Sequence, residues 1–348
     1  MTELSPPLTI AVIHRLMRGY PERCLRSLAP QAPEGTEFLL LTDDLDGVKG
    51  CGEVAPGLRV LPIPSEDRAA AKNRTVEAAR GELLLIVSSD FVASDGAVGT
   101  LLDFLRGKEA SPPRNADCGA ESASCCRGKA CLAPTDGRSA PAVASAQILY
   151  ENGMRRRTSY PFPSLLRAIS PLPRVARLLR PGKRPPLSAP PRPAEALRVR
   201  FLAGRTQTFR AVGPFRSGYR FGFEDVEWSW RAAQLGVERW EVSEARAHCL
   251  APQLHGVLSP ATRLAIERSR QRVVAESRGA AYALLFRCVS RAKALVLWIA
   301  SLLLNRLLCG RSTFLANAEA VHRALWQMSS AETLPEDAES RVRWDAAV

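Results

Sequence analysis

The sequence predicts an α/β protein, a mixed and mostly parallel sheet flanked by helices, followed by a helical C-terminal extension. Three observations carry that prediction. Residues 83–87 (LLLIV) are apolar without polar alternation, the pattern of a strand buried on both faces. From residue 8 to residue 90, apolar runs and helical stretches follow in the order strand, helix, strand, strand, helix, strand. That order suits a sheet built with right-handed crossovers. Beyond residue 258 the pattern is helical to the end.

Residues 8–13 give the first strand. Residues 21–28 read as a helix opened by Pro21, where a missing N–H costs nothing, with Leu25 and Leu28 toward the sheet. Residues 38–41 form a second strand that runs into Thr42, Asp43 and Asp44, and residues 58–63 a weaker third. Ser65 is placed to N-cap the next helix, with Glu66 and Asp67 in its first turn and Gly81 as its stop. The buried strand then ends at Ser88-Ser89-Asp90. Open parallel sheets meet ligands beyond the carboxyl ends of their strands, so Asp90 stands at a ligand position, although a lone carboxylate there equally well caps a turn.

Ser94 opens a helix reaching about residue 106. Residues 111–141 break all periodicity and read as a flexible insertion; Cys118, Cys125, Cys126 and Cys131 lie here without a C-x-x-C pair or a nearby His, so zinc is the minority reading. Residues 142–150 resume as a strand, closed by a turn at Glu151-Asn152-Gly153. A basic, proline-rich segment covers about 155–200, suited equally to a phosphate-bearing acceptor, anionic lipid or plain solvent. Residues 199–202 make another strand. Residues 223–236 begin acidic and form a helix whose Trp228 and Trp230 read as packing residues. Residues 239–242 are the last strand, with His248 beyond it. The apolar run 294–304 is too short to span a bilayer. It is either a buried helix or an interfacial one flanked by Arg291, Lys293 and Arg306, and the flanks favour the interface.

The chain of 348 residues carries a net charge of +13, which implies an anionic partner. Neither G-x-G-x-x-G nor G-x-x-x-x-G-K-[ST] occurs, so a dinucleotide or P-loop enzyme is not supported. Nothing resembles a nucleic-acid motif, and aromatics do not interleave with the basic run. Nine scattered cysteines and a short polar start favour a reducing cytoplasm.

Asp43 after one strand, Ala70-Ala71-Lys72-Asn73-Arg74 on a helix, Ser88-Ser89-Asp90 after another strand, then Gly213-Pro214-Phe215 and Glu224-Asp225-Val226-Glu227 form an ordered set. That set resembles glycosyltransferase family 2, of the GT-A fold, and its rhamnosyltransferase-like branch. The resemblance spans about residues 8–260 and includes Asn152-Gly153 and Tyr160-Pro161-Phe162-Pro163. It implies a glycosyltransferase domain over residues 1–258 and a helical region over 259–348. It also implies hexosyl or deoxyhexosyl transfer, with inversion, from a nucleotide-sugar donor to a glycan or polyprenyl-linked acceptor, at the cytoplasmic face of the cell membrane.

By the same resemblance, Asp43, Lys72, Asn73 and Ser88 would bind the donor, with Asp43 on the base or ribose and Lys72 near the diphosphate. Asp90 and His248 would hold a divalent cation, Mg²⁺ or Mn²⁺. Asp225 would be the catalytic base, with Glu224 beside it. A cation would neutralise the departing diphosphate, and a carboxylate would accept the acceptor's proton. The chain departs from the pattern at Ser88, where an acidic residue is usual, at Thr75, where Gly is usual, and at His14-Arg15-Leu16. Those departures keep open a second reading, a binding or scaffold relative without catalysis.

Overall fold

The computed structural model describes residues 6–15, 20–64, 67–110, 141–169, 189–219, 223–250, 260–307 and 313–327. Two compact units divide the chain. One comprises Met1–Phe162, Arg184–Gly218 and Glu224–Gln253; the other comprises Pro163–Lys183, Tyr219–Phe223 and Leu254–Val348.

The first unit runs β1 (Leu8–His14), α1 (Pro21–Leu28), β2 (Glu37–Thr42), α2 (Cys51–Val54), β3 (Arg59–Pro62), α3 (Arg68–Ala78), β4 (Leu83–Ser88), β5 (Phe91–Ala93) and α4 (Ala97–Ala110). It continues with β6 (Ala142–Tyr150), β7 (Arg155–Arg156), β8 (Ser159–Tyr160), β9 (Arg192–Pro193), β10 (Ala196–Leu197), β11 (Phe201–Arg205), α6 (Thr206–Val212), α7 (Glu224–Gln234) and β12 (Glu238–Cys249). The main sheet has the order β3-β2-β1-β4-β11-β6-β12-β5. Strands β1 to β4 run parallel. Strand β11 enters antiparallel between β4 and β6. This is the mixed, mostly parallel sheet flanked by helices that the sequence predicts.

Strand β4 shows why its five apolar residues have no alternation. Leu83, Leu85 and Val87 join one core with α1 and α4, which contribute Leu25, Leu28, Leu101 and Leu105. Leu84 and Ile86 join the core on the other face, with α3, α6 and α7. Both faces are dry, so every position must be apolar. Gly81, expected only as a helix stop, does more: a Cβ there would collide with the Thr9 backbone nitrogen. Its N–H donates to Thr9 Oγ1 at 2.8 Å, which brings the entry to β4 against β1.

Three local expectations change. Asp67, not Ser65, is the N-cap of α3, its carboxylate accepting from Ala69 N–H at 2.8 Å; Ser65 lies outside the described residues. Helix α4 begins at Ala97 because residues 91–93 form β5 against β12. Strand β12 does not stop at Val242 but passes through a register shift between Val242 and Arg246 and runs to Cys249, so His248 is a strand residue. Residues 111–140, with their four cysteines, and residues 170–188 of the basic segment lie outside the described residues.

In the second unit, α5 (Leu165–Ile169) and α8 (Pro260–Arg278) pack with α9 (Ala280–Leu307) through Ala168, Val274, Ala283 and Phe286. Leu165 N–H donates to the Tyr282 hydroxyl at 3.0 Å. Helix α10 (Thr313–Gln327) follows. The run 294–304 is two-sided: Ala294 and Ser301 are buried while Val296, Ile299, Leu303 and Leu304 are exposed. Among the described residues no helix is long and apolar enough to cross a membrane.

Candidate active site

Parallel pairing aligns the carboxyl ends of the strands. His14 at the end of β1 is level with Thr42 of β2, and Ile13 with Ser88 of β4. Asp43 follows β2, half-buried. His14 and Ser89 are buried, with His14 Nδ1 3.0 Å from Ser89 Oγ. The departure at His14 thus fills the sheet edge with a polar pair and fixes the turn leading to Asp90. Ser88 N–H donates to Arg200 C=O at 2.8 Å.

Because β11 runs antiparallel to β4, the residues entering β11 meet the end of β4, and Arg200 arrives beside Asp90. Arg200 Nη1 lies 3.5 Å and Arg156 Nη1 3.7 Å from Asp90 Oδ2. Arg156 also packs over the rings of Phe91 and Tyr150 and donates to Cys249 Sγ at 2.6 Å. Arg198, two residues before Arg200, stacks on Tyr160 at 4.5 Å. Burial, with Arg156 and Arg198 alongside, lowers the Arg200 guanidinium to about 10 although Asp90 opposes the shift. It remains charged at neutral pH.

The second acidic group is built on helix ends. Glu224 and Asp225 occupy the first turn of α7, where the helix dipole favours negative charge. Lys72 reaches them from α3, with Nζ 2.8 Å from Glu224 Oε1 and hydrogen-bonded to Asp225 Oδ1. All three are buried, at 6%, 2% and 3% exposure. Lys72 also lies over the Phe215 ring. The resemblance puts Lys72 beside a diphosphate; here its ammonium is committed to the two carboxylates.

One ammonium between two buried carboxylates drives their affinities for protons apart. Burial alone would lift Glu224, but Lys72, with Arg68 behind it, outweighs burial and holds its carboxyl below the ordinary value. Burial pushes Asp225 up, Glu224 adds to the push, and Lys72 only partly offsets it, so Asp225 stays above the ordinary value. A carboxylate raised in this way is a better proton acceptor than a free one. Arg68 acts on both Glu224 and Arg200, and Arg198 on both Asp225 and Arg200.

Asn73 has a structural task. Its amide donates to Phe215 C=O at 2.9 Å and accepts from Phe215 N–H at 2.7 Å. Behind that loop Trp228 is sandwiched between Phe209 and Phe215 and donates to Gly213 C=O at 3.1 Å, the packing role read from sequence. Gly213 takes a φ of 86° at the end of α6, a conformation that favours glycine. Glu227 and Arg231 pair at 2.8 Å, and Arg231 donates to Pro214 C=O at 2.6 Å, so the acidic stretch also anchors the loop.

The donor set around Asp90 does not fit a divalent cation. Among the described residues no three His, Cys, Asp or Glu side chains are grouped to hold an ion. One carboxylate suffices for a cation that keeps its waters, but Asp90 Oδ2 already faces two guanidiniums. Leu250 N–H donates to Asp90 C=O at 2.9 Å, which brings the β12 backbone close, but the His248 side chain is exposed.

Arg156, Arg198 and Arg200 are the residues that sequence reading did not single out, absorbed into the basic, proline-rich segment 155–200. A signal was present: Arg198 and Arg200 flank buried Val199 in the turn directly before a strand.

No family model and no curated protein matches the chain. Solved structures similar to it include glycosyltransferases of the GT-A type. The S. aureus TarS 1–349 structure in complex with UDP-GlcNAc covers 82% of this chain and 71% of its own, at 14% identity and a TM-score of 0.46. The structure of GalNAc-T7 with UDP, GalNAc and Mn²⁺ covers 77% of this chain and 48% of its own, at 14% identity and a TM-score of 0.48. At this level of similarity no residue role is carried across.

Proposed function

We propose that this protein is a glycosyltransferase. It moves a hexosyl or deoxyhexosyl group from a nucleoside-diphosphate donor to a hydroxyl of a glycan or polyprenyl-linked acceptor, with inversion. What supports this reading is a buried carboxylate at Asp225 that is raised above its ordinary value, together with an arginine-rich edge around Asp90 beyond the end of β4. The acceptor oxygen attacks the anomeric carbon as the bond to the diphosphate breaks. The bonding electrons leave with the phosphate oxygen, and Asp225 takes the hydroxyl proton. Asp43, half-buried past β2, is where the base or ribose would lie. The family 2 and rhamnosyltransferase-like assignments belong to this proposal. A resident cation at Asp90 does not, because the side chains present do not fit one.

The test is Asp225→Asn. Nucleoside-diphosphate release from UDP-, GDP- and dTDP-sugars should fall by about 10²–10⁴-fold while donor binding persists. Full turnover in that variant would remove Asp225 from the reaction. The commitment of Lys72 to both carboxylates favours a second reading, a binding or scaffold relative. Nucleotide binding without release by the wild-type protein would select it.

Peripheral membrane contact, on the cytoplasmic face, is also proposed. The exposed apolar side of α9 carries Leu285, Val296, Ile299, Leu303 and Leu307, and basic Arg291, Lys293 and Arg306 lie on the same helix. Wild-type protein should sediment with anionic phospholipid vesicles, and the Val296→Asp/Leu303→Asp variant should lose most of that binding. Equal sedimentation of the two would end the proposal.

A further inference from the structure

We propose that guanidinium groups, in place of a divalent cation, compensate the diphosphate of the donor at the Asp90 edge. Arg156 and Arg200 would do this directly, with Arg198 and Arg68 beside them. This inference rests on the glycosyl-transfer reading and specifies how its leaving group is held.

Three observations lead to it. The first is geometric: two guanidiniums reach the same Asp90 oxygen, Arg156 from β7 and Arg200 from the turn entering β11, at 3.7 and 3.5 Å. Both contacts are longer than a normal charge-assisted hydrogen bond, so they are ion pairs open to exchange. A cation binding Asp90 would have to displace them or sit against them. A phosphate group carries the opposite charge and replaces Asp90 as their partner.

The second is the balance of charge. Around this end of the sheet Arg68, Lys72, Arg156, Arg198 and Arg200 face Asp90, Glu224 and Asp225. Among these named residues two positive charges are in excess. A sugar nucleotide's diphosphate linkage carries two negative charges, so the donor neutralises the cluster without any ion. The third is anchoring. Arg156 is held over the rings of Phe91 and Tyr150, and Arg198 over Tyr160. The backbone of Arg200 is pinned to Ser88. Planar, pre-positioned guanidiniums suit phosphate oxygens and lose little freedom on binding them.

Asp90 then acts as a positioning residue. It holds Arg156 and Arg200 together in the free protein and gives them up to the donor. This role and metal ligation make opposite predictions for one substitution. A metal ligand, once neutralised, loses the donor. A competitor for the guanidiniums, once neutralised, lets the diphosphate bind more tightly.

The experiment is calorimetric titration of the full-length protein with UDP, GDP and dTDP, in excess EDTA and in excess MgCl₂ or MnCl₂. The expected result is binding of at least one nucleotide in EDTA, within about threefold of its affinity with metal. Arg200→Gln and Arg156→Gln should each weaken it by about tenfold or more, Arg200→Lys should recover part of the loss, and Asp90→Asn should tighten it. Binding only in the presence of metal, or loss of binding in Asp90→Asn, overturns the inference and leaves glycosyl transfer standing. The EDTA comparison uses the unmodified protein, so it decides the matter even where a variant fails to fold. Failure of all three nucleotides to bind under any condition overturns both this inference and the glycosyl-transfer reading.

Discussion

Asp90 stands just past the end of β4 and Asp225 in the first turn of α7, and their surroundings set these two carboxylates opposite tasks. Asp225 is buried and shares one ammonium with a second carboxylate, so its group is short of positive charge. Asp90 is partly exposed and faces two guanidiniums, so its group has positive charge to spare. A site short of positive charge takes up protons; a site with an excess takes up anions. Burial sharpens the first task, because a low dielectric magnifies each unpaired charge, and partial exposure serves the second, because a charged ligand must be able to enter.

The largest expected effect that would break this contrast is on stability. Lys72→Met leaves two buried carboxylates without their cation. Breaking a buried ion pair from one side costs roughly 3–5 kcal/mol, to be read from urea unfolding at neutral pH. The deficit has a sign in pH. Without Lys72 both carboxyls are raised by burial and by each other, so each binds its proton more readily folded than unfolded. The variant should therefore regain stability as pH falls and both groups protonate. A deficit that stays constant down to acid pH would mean that Lys72 acts by packing on Phe215 instead.

A smaller effect tests Asn73, which family resemblance assigns to the donor and which the hydrogen bonds assign to the loop. Asn73→Ala leaves the Phe215 N–H and C=O without their partner, at a cost of about 1–3 kcal/mol. If Asn73 is a strut, unfolding midpoints drop while the affinity for the donor nucleotide changes little. A large loss of nucleotide affinity with unchanged stability would return Asn73 to the donor.

These outcomes mark where sequence was informative. The dry strand 83–88 was legible because burial on both faces forbids alternation, and that put Asp90 at the carboxyl edge of the sheet. The first turn of α7 was legible because acidic residues suit a helix start. What stayed hidden was pairing at long range. Arg156 and Arg200 meet Asp90 only through strand contacts that join residues more than 60 positions apart, and no local periodicity encodes those. His248 reads as lying beyond a last strand that ends at Val242, for a related reason: the strand runs on to Cys249 through a register shift that sequence does not show. Lys72 was found but its carboxylate partners were not, since a lysine near a diphosphate and a lysine between two carboxylates look alike in sequence.

The smallest effect is on the pH dependence of transfer. Glu224 is one of the groups that keep Asp225 above the ordinary carboxylate value, acting through its negative charge. Glu224→Gln removes that charge and leaves Lys72 wholly to Asp225. The Asp225 carboxyl then falls, and the acidic limb of the rate profile moves to lower pH. Glu224 is itself held below its ordinary value, so its ionised form contributes stability that is present above its unfolded pKa and fades as pH falls through the folded one. The substitution should thus also cost a little stability at neutral pH, less than loss of Lys72. A purely structural Glu224 would lower stability without moving the acidic limb. A limb that stays in place while the protein remains folded would show that proton uptake at Asp225 is not tuned by its neighbour.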